Sequence, residues 1–216
     1  KEHHISSEED FRLMQREYRA KHPLYRGVRD SKYELISKFG RRVIAIESLR
    51  ERKSTFKHVV NDATERVSLE KFKRYSRQYL TTFPENEWDW LALAQHYGLP
   101  TRFLDWTTNP LVAVYFALGG NRGSIDKDVS AAIYVIPDVY MLKEADTRTS
   151  PFDIEKLNIL YPSHTTRRVF AQSGILTAKE NAKAKYDEGF IEKWIIAPEI
   201  MGTLATLIHF YGITYA

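Results

Sequence analysis

The 216-residue chain contains no cysteine. That excludes disulfides, thiolate catalysis and cysteine-ligated zinc, and it fits a reducing cytoplasm. No apolar run approaches the ~20 residues that a membrane-spanning helix needs, so no membrane partner is expected. The opening KEHHISSEED shows neither a signal peptide's apolar stretch nor an initiator methionine. It reads as a trimmed N-terminus whose histidines lie in a mobile tail. Phosphate-loop signatures (GxGxxG, GxxxxGK[ST]), the GxSxG elbow and HExxH are also missing, which removes several standard catalytic devices. The seven histidines are scattered, so no metal centre is expected. No internal repeat or low-complexity stretch occurs.

What is present suffices for one substantial core. With 43% hydrophobic residues over 216 positions, a single domain spanning the whole chain is the expectation. A net charge of +4 permits an anionic partner without requiring one. The positive charge is concentrated between Lys38 and Arg77, where Arg41, Arg42, Arg50, Arg52, Lys53, Lys57, Arg66, Lys71, Lys73 and Arg74 also fall. Such a run is either a solvated helix face or a surface facing nucleic acid.

Local signals divide the chain into short helices and strands. Ser6 to Glu9 form a capping box before a helix with Phe11, Met14 and Tyr18 on one face, stopped by His22-Pro23. Leu24 to Val28 reads as a strand with Arg26 in its middle and Gly27 admitting another backbone. Ile44–Val60 and Leu69–Leu80 suit amphipathic helices, the second with a stripe of Leu69, Phe72, Tyr75 and Tyr79. Together they form a helical insertion or cap at residues 41–82. Asn86 caps a further helix ending at Gly98-Leu99-Pro100, and Asn109-Pro110 starts an apolar, buried one ending at Gly119-Gly120. Between them lies a short extended piece, Thr101–Leu104, and a turn, Asp105-Trp106-Thr107.

Further on, Ala131–Ile136 and Lys193–Ala197 are strands, 139–165 is irregular, and Glu199–Phe210 is a closing helix before Gly212. Arg167–Ala171 and Ile175–Ala178 are strands joined around Gln172-Ser173-Gly174. Strands and helices without regular alternation indicate an α+β fold.

The densest polar cluster is Gln95, His96, Arg102, Asp105, Trp106 and Thr107. Buried polar groups need partners, so the cluster marks a site, although Asp105 and Thr107 could equally cap nearby N–H groups. An inward arginine such as Arg26 suits a bidentate grip on phosphate or carboxylate; its structural alternative is a salt bridge, with Asp105 a candidate partner. A glycosidase-type pair of Asp105 with Glu180 or Glu199 is a third arrangement.

YRG at 25–27, LAQHYGLPTRFLDWTTNPLVAVYFA at 93–117 and RRVFAQSGILT at 167–177 together resemble the FRG domain family. The resemblance runs from Tyr25 to the C-terminus, although family members usually continue past the closing Gly212-Ile213 with an apolar segment. That family in turn is similar to the ADP-ribosyltransferases, which implies a split β-sheet core and NAD as substrate. By that resemblance Arg26 takes the place of the NAD-contacting arginine. Thr107 matches the last serine of a Ser-Thr-Ser turn, with Asp105 and Trp106 replacing the other two. Gln172 stands where active members carry a glutamate, and a neutral amide supplies no charge to a developing cation. The implied catalytic set is therefore Arg26, Asp105, Thr107 and Gln172, with Glu180 or Asp105 able to supply the missing charge. Tyr25, Arg26, Gly27, His96, Tyr97, Arg102 and Trp106 would bind NAD. The implied acceptor is a nucleic acid or a protein, and the implied setting a bacterial toxin or phage-defence effector with an antitoxin partner. The rival implication is a catalytically inactive transferase-like module that binds a nucleotide or nucleic acid.

Overall fold

The computed structural model describes residues 1–52, 61–120, 128–163 and 174–213. The fold is α+β: among the described residues, eight strands form one mixed sheet. These are β1 (Glu2–Ile5), β2 (Leu24–Val28), β3 (Phe103–Thr107), β4 (Ala131–Ile136), β5 (Lys143–Glu144), β6 (Asn158–Leu160), β7 (Gly174–Ala178) and β8 (Glu192–Ile196). Their spatial order is β1-β8-β4-β2-β3-β7-β6-β5. The helices are α1 (Glu8–Glu17), α2 (Lys38–Arg52), α3 (Asp62–Ser76), α4 (Glu87–His96), α5 (Pro110–Ala117) and α6 (Pro198–Phe210).

Local chemistry sets most boundaries. Asn86 and Asn109 accept from the Asp89 and Leu111 amides, satisfying N–H groups that a helix start leaves orphaned. Gly98, Gly119 and Gly212 follow the helices with positive φ, where a Cβ would be strained. The first capping box sits one residue later than the sequence suggests: Ser7 is the N-cap and Asp10 answers it. The α3 stripe is half right, since Leu69 is buried while Tyr75 and Tyr79 are exposed.

Three expectations need correction. The N-terminus is not a tail. β1 pairs in parallel with β8, and His3 stacks on Trp194 at 4.3 Å while bonding Glu192 at 2.8 Å. Residues 139–163 are not wholly irregular, because β6 extends the sheet antiparallel to β7. Asp105-Trp106-Thr107 is no turn but the end of β3, paired residue by residue with Leu176, Ile175 and Gly174. The expected strand at 167–171 and the end of the helix expected over 44–60 lie outside the described residues.

Side-chain alternation along the strands gives the sheet two faces. On one face, Tyr25, Ile133, Val135, Trp194 and Ile196 pack under α1, α5 and α6. The same face of β3, β6 and β7 carries Phe103, Leu160, Leu176 and Ala178 under Trp88, Leu91 and Ala94 of α4 and Leu69 of α3. The other face holds a third cluster, including Leu24, Leu104, Trp106, Ile136, Ile159 and Tyr186. The first two clusters meet at β2 and β3, and there the sheet is weakest. The two strands pair at a single position, Tyr25 with Thr107.

Gly27 locks α5 onto β2. A Cβ there would overlap the Ala113 carbonyl oxygen and the Ala117 amide nitrogen, both rigid backbone. Gly27→Ala is therefore expected to lower stability by about 2–3 kcal/mol, each kcal/mol lowering Tm by ~2–4 °C in a chain of this size. Gly202→Ala, in α6 with no atom within 4 Å of the added methyl, should instead raise stability by about 0.5–1 kcal/mol. Thermal unfolding of the two variants checks both signs.

Candidate functional site

Past the Tyr25–Thr107 pair the two strands diverge, and the opening becomes a cleft of about 960 Å³. β2 supplies one wall with Arg26 to Arg29, β3 the other with Phe103 to Thr107, and α4 closes an end with Gln95 and His96. Arg26 spans the gap. Its Nη1 donates to the Asp105 main-chain oxygen at 2.6 Å and lies 3.7 Å from Asp105 Oδ2. Its Nε is buried and, among the described residues, has no hydrogen-bond acceptor. A buried cationic donor without an acceptor is costly, and the part-exposed guanidinium that carries it lines the cleft, where an anion would offset that cost.

Asp105 is an exposed acid of the cleft, with its side chain 67% accessible. Gln95 Nε2 donates to its Oδ1 at 2.6 Å. The amide cannot turn freely, because Gln95 Oε1 accepts from the Thr101 hydroxyl. Thr101 thus orients Gln95, and Gln95 orients the carboxylate. The Asp105 side chain is therefore held by another side chain rather than serving as a backbone cap. The two expectations for Arg26 merge: it touches Asp105, yet keeps a donor in reserve.

Sequence reasoning missed Arg41 as an individual residue, absorbing it into the basic run. Arg41 borders the cleft and donates to the Ile36 carbonyl. Partial burial of its head group, and then the charge of Arg26, hold its guanidinium below the usual value. Two arginines that repel each other across one cleft favour an anion between them. The adjacent Arg41-Arg42 pair was the available signal.

The other expected site residues divide between the cleft lining and the scaffold. Arg102 is fully buried, with its N–H and Nε bonded to Glu65 at 2.6 and 3.0 Å and its guanidinium 4.8 Å from the Phe152 ring. It is a structural link from α3 to β3 rather than a ligand contact. The Tyr25 and Trp106 rings border the cleft but are 3% and 2% exposed, the first edge-on to Tyr18 and the second bonding Thr177, so neither can stack on a ligand. Thr107 is buried and accepts the Asn109 N–H, the capping role that its position also allowed. Tyr97 is exposed beside Phe72, outside the cleft. Gly27 lines the cleft through the close packing already described, and His96 lines it as an exposed ring. Glu180 and Glu199 do not line it, so the glycosidase-type pair with Asp105 is not assembled. Gln172 lies outside the described residues.

Residues 21–124 match the FRG domain family. The chain contains an FRG domain. The matched FRG segment carries both strands of the seam together with Gln95, Arg26, Arg41 and Asp105, while β4, β7 and β8 complete the sheet around it. Searches of the curated proteins and of the solved structures found no match. Among the described residues, no helix is long and apolar enough to cross a membrane.

Two predictions separate scaffold from site. Glu65→Gln removes the carboxylate that meets the buried Arg102 guanidinium and should cost about 3–5 kcal/mol, read from the urea midpoint. Burial pushes the Tyr25 phenol from 10.0 up to about 12. A raised folded-state value means that stability is intact below the unfolded value and is lost as pH rises through the folded one. Tm should therefore fall between pH 10.0 and about 12, and less steeply in Tyr25→Phe. Tyr18 and Tyr186, also pushed up by burial, contribute slope of the same sign. A Tyr25→Phe profile parallel to wild type would show that this ring is not buried in solution.

Proposed function

We propose that the FRG cleft binds NAD and that the protein is an ADP-ribosyltransferase acting on a macromolecular acceptor. The observation that carries this reading is Arg26, with an unpartnered buried Nε, beside the exposed Asp105 carboxylate at the β2–β3 opening. The opening itself supports a split sheet core of the ADP-ribosyltransferase kind. A cleft of about 960 Å³ is at the upper end of the ~300–1,000 Å³ range of small-molecule sites and admits a dinucleotide. Its cations Arg26, Arg29, Lys32, Lys38 and Arg41 outnumber its carboxylates Glu34 and Asp105, as a pyrophosphate requires.

In this reading Arg26 holds a phosphate through a planar fork of donors. Asp105, aimed by Gln95, accepts from a ribose hydroxyl and faces the cationic sugar that forms as the bond from C1′ to the nicotinamide nitrogen breaks. A fixed negative charge at that point stabilises the transition state more than the ground state. Nicotinamide leaves neutral, the acceptor atom bonds to C1′, and the acceptor's proton goes to solvent. Asp105 thereby takes the electrostatic role that Gln172 cannot. The family resemblance extends the proposal to a cytoplasmic toxin or phage-defence effector, which an antitoxin would silence by covering the cleft.

A second reading is favoured by Thr107 and Trp106. Both are buried and bonded within the fold, so β3 offers one reactive side chain where a reacting turn would offer several. The FRG domain is then an inert module that binds a nucleotide or a nucleic acid.

Titration calorimetry with NAD and labelling with radioactive NAD in lysate divide the two. Arg26→Ala should weaken NAD binding at least about tenfold. Asp105→Asn should bind NAD normally but label macromolecules about 10²–10³ times more slowly. NAD binding without labelling or nicotinamide release would favour the inert module, and absence of NAD binding would sink the transferase reading.

A further inference from the structure

Among the described residues most of the basic run from Lys38 to Arg77 is in no salt bridge, Arg50, Arg52, Lys71, Arg74 and Arg77 included. Arg66 and Lys73 are neutralised by Asp153 and Glu70 at 2.9 and 2.7 Å, as a solvated helix face should be. Lys38, Arg41 and Arg42 are in no salt bridge among the described residues, although all three are exposed. They line a depression of about 450 Å³ with Gly98 and Pro100, and no carboxylate lines it. Lys38 and Arg41 also line the main cleft, so the depression and the cleft share a wall. Inside the cleft Glu34 is already paired with Lys185 at 2.8 Å, which leaves the shared wall strongly positive.

One exposed aromatic ring borders this wall and a second lies close by in the chain. Tyr33, 51% exposed, borders the cleft. Tyr97, 66% exposed, immediately precedes the Gly98 of the depression. Neither ring is needed for the core. A positive track with exposed aromatic platforms is the surface chemistry that holds unpaired bases: phosphates meet the cations and bases stack on the rings. An acidic peptide would use the cations but not the rings, and a duplex keeps its base faces covered.

We propose that Lys38, Arg41 and Arg42 form the landing rim for a single-stranded nucleic acid, whose chain then enters the cleft beside Asp105. This inference rests on the transferase reading, in which the strand is the acceptor. A nitrogen or oxygen of the strand bonds to C1′, nicotinamide departs, and the displaced proton goes to solvent.

Fluorescence anisotropy of the whole protein with labelled single-stranded RNA and DNA of about 20 nucleotides tests the rim. The controls are a hairpin duplex and polyglutamate, over about 50–200 mM salt. The Lys38→Ala, Arg41→Ala, Arg42→Ala triple variant should bind a single strand at least about tenfold more weakly. Its log–log salt slope should be shallower by ~2, because each phosphate neutralised on a single strand contributes ~0.7. Arg42→Glu alone, an exposed change, should weaken binding in the same direction if the triple variant melts early. Tyr33→Ala with Tyr97→Ala should weaken binding with the salt slope unchanged. Equal binding of polyglutamate or duplex, or a triple variant indistinguishable from wild type, would overturn the rim. Calorimetry with NAD runs in parallel. Intact NAD turnover without strand binding overturns the rim alone, whereas rim-dependent strand binding without NAD binding overturns the acceptor role and the transferase reading.

Discussion

The contact between Arg26 and Asp105 is what allows an opening in the middle of this sheet. A central β pair normally satisfies its backbone groups along the whole ladder, and two strands joined at one position leave the rest to find other partners. Here a guanidinium reaches across and donates to the Asp105 carbonyl oxygen. The strands stay apart and still bound. The opening exists because β2 and β3 belong to different packing units, one under α1, α5 and α6 and the other under α3 and α4. Gly27 fixes the first unit by admitting α5 to backbone contact, and the buried Glu65–Arg102 pair fixes the second. The cleft is the line along which two rigid halves meet.

Features that depend on a few neighbouring residues were legible in the sequence. Asn86, Asn109-Pro110, Gly98 and Gly212 announce helix ends through local hydrogen bonds and local φ, and the structure keeps them. Gly27 was legible for the same reason, since close approach needs only a missing Cβ. β1 was not. EHHI is polar and short, and it becomes a strand only because β8, some 190 positions away, supplies Trp194 for His3 to stack on. β3 misled in the opposite direction. An aspartate between a leucine and a tryptophan has turn chemistry, and the ladder with β7 overrides it.

The site was legible as a neighbourhood, not as roles. Period-two alternation tells that Tyr25 and Arg26 point to opposite faces, but not which face is dry. Tyr25 and Trp106 point into different cores from either side of the seam, while Arg26 reaches into the gap. Gln95 was within the cluster that the sequence marked, yet its function as the orienting partner of Asp105 depends on Thr101 fixing its amide. Such a relay is a property of three-dimensional order.

Arginines show most clearly why residue type alone could not decide function. Arg102, Arg26 and Arg41 carry the same charge in three surroundings. Arg102 is dry and meets a full carboxylate, so its charge is neutralised within the fold. Arg26 meets a carbonyl at close range and a carboxylate only at 3.7 Å, which leaves part of its donor capacity unused. Arg41 meets a carbonyl and the repulsion of Arg26, so an added anion would relieve it. Desolvation raises the value of any counter-charge that arrives, because the same Coulomb interaction strengthens as water is excluded. The gradient from Arg102 through Arg26 to Arg41 therefore runs from structural to available, and it points an anionic ligand into the opening between β2 and β3.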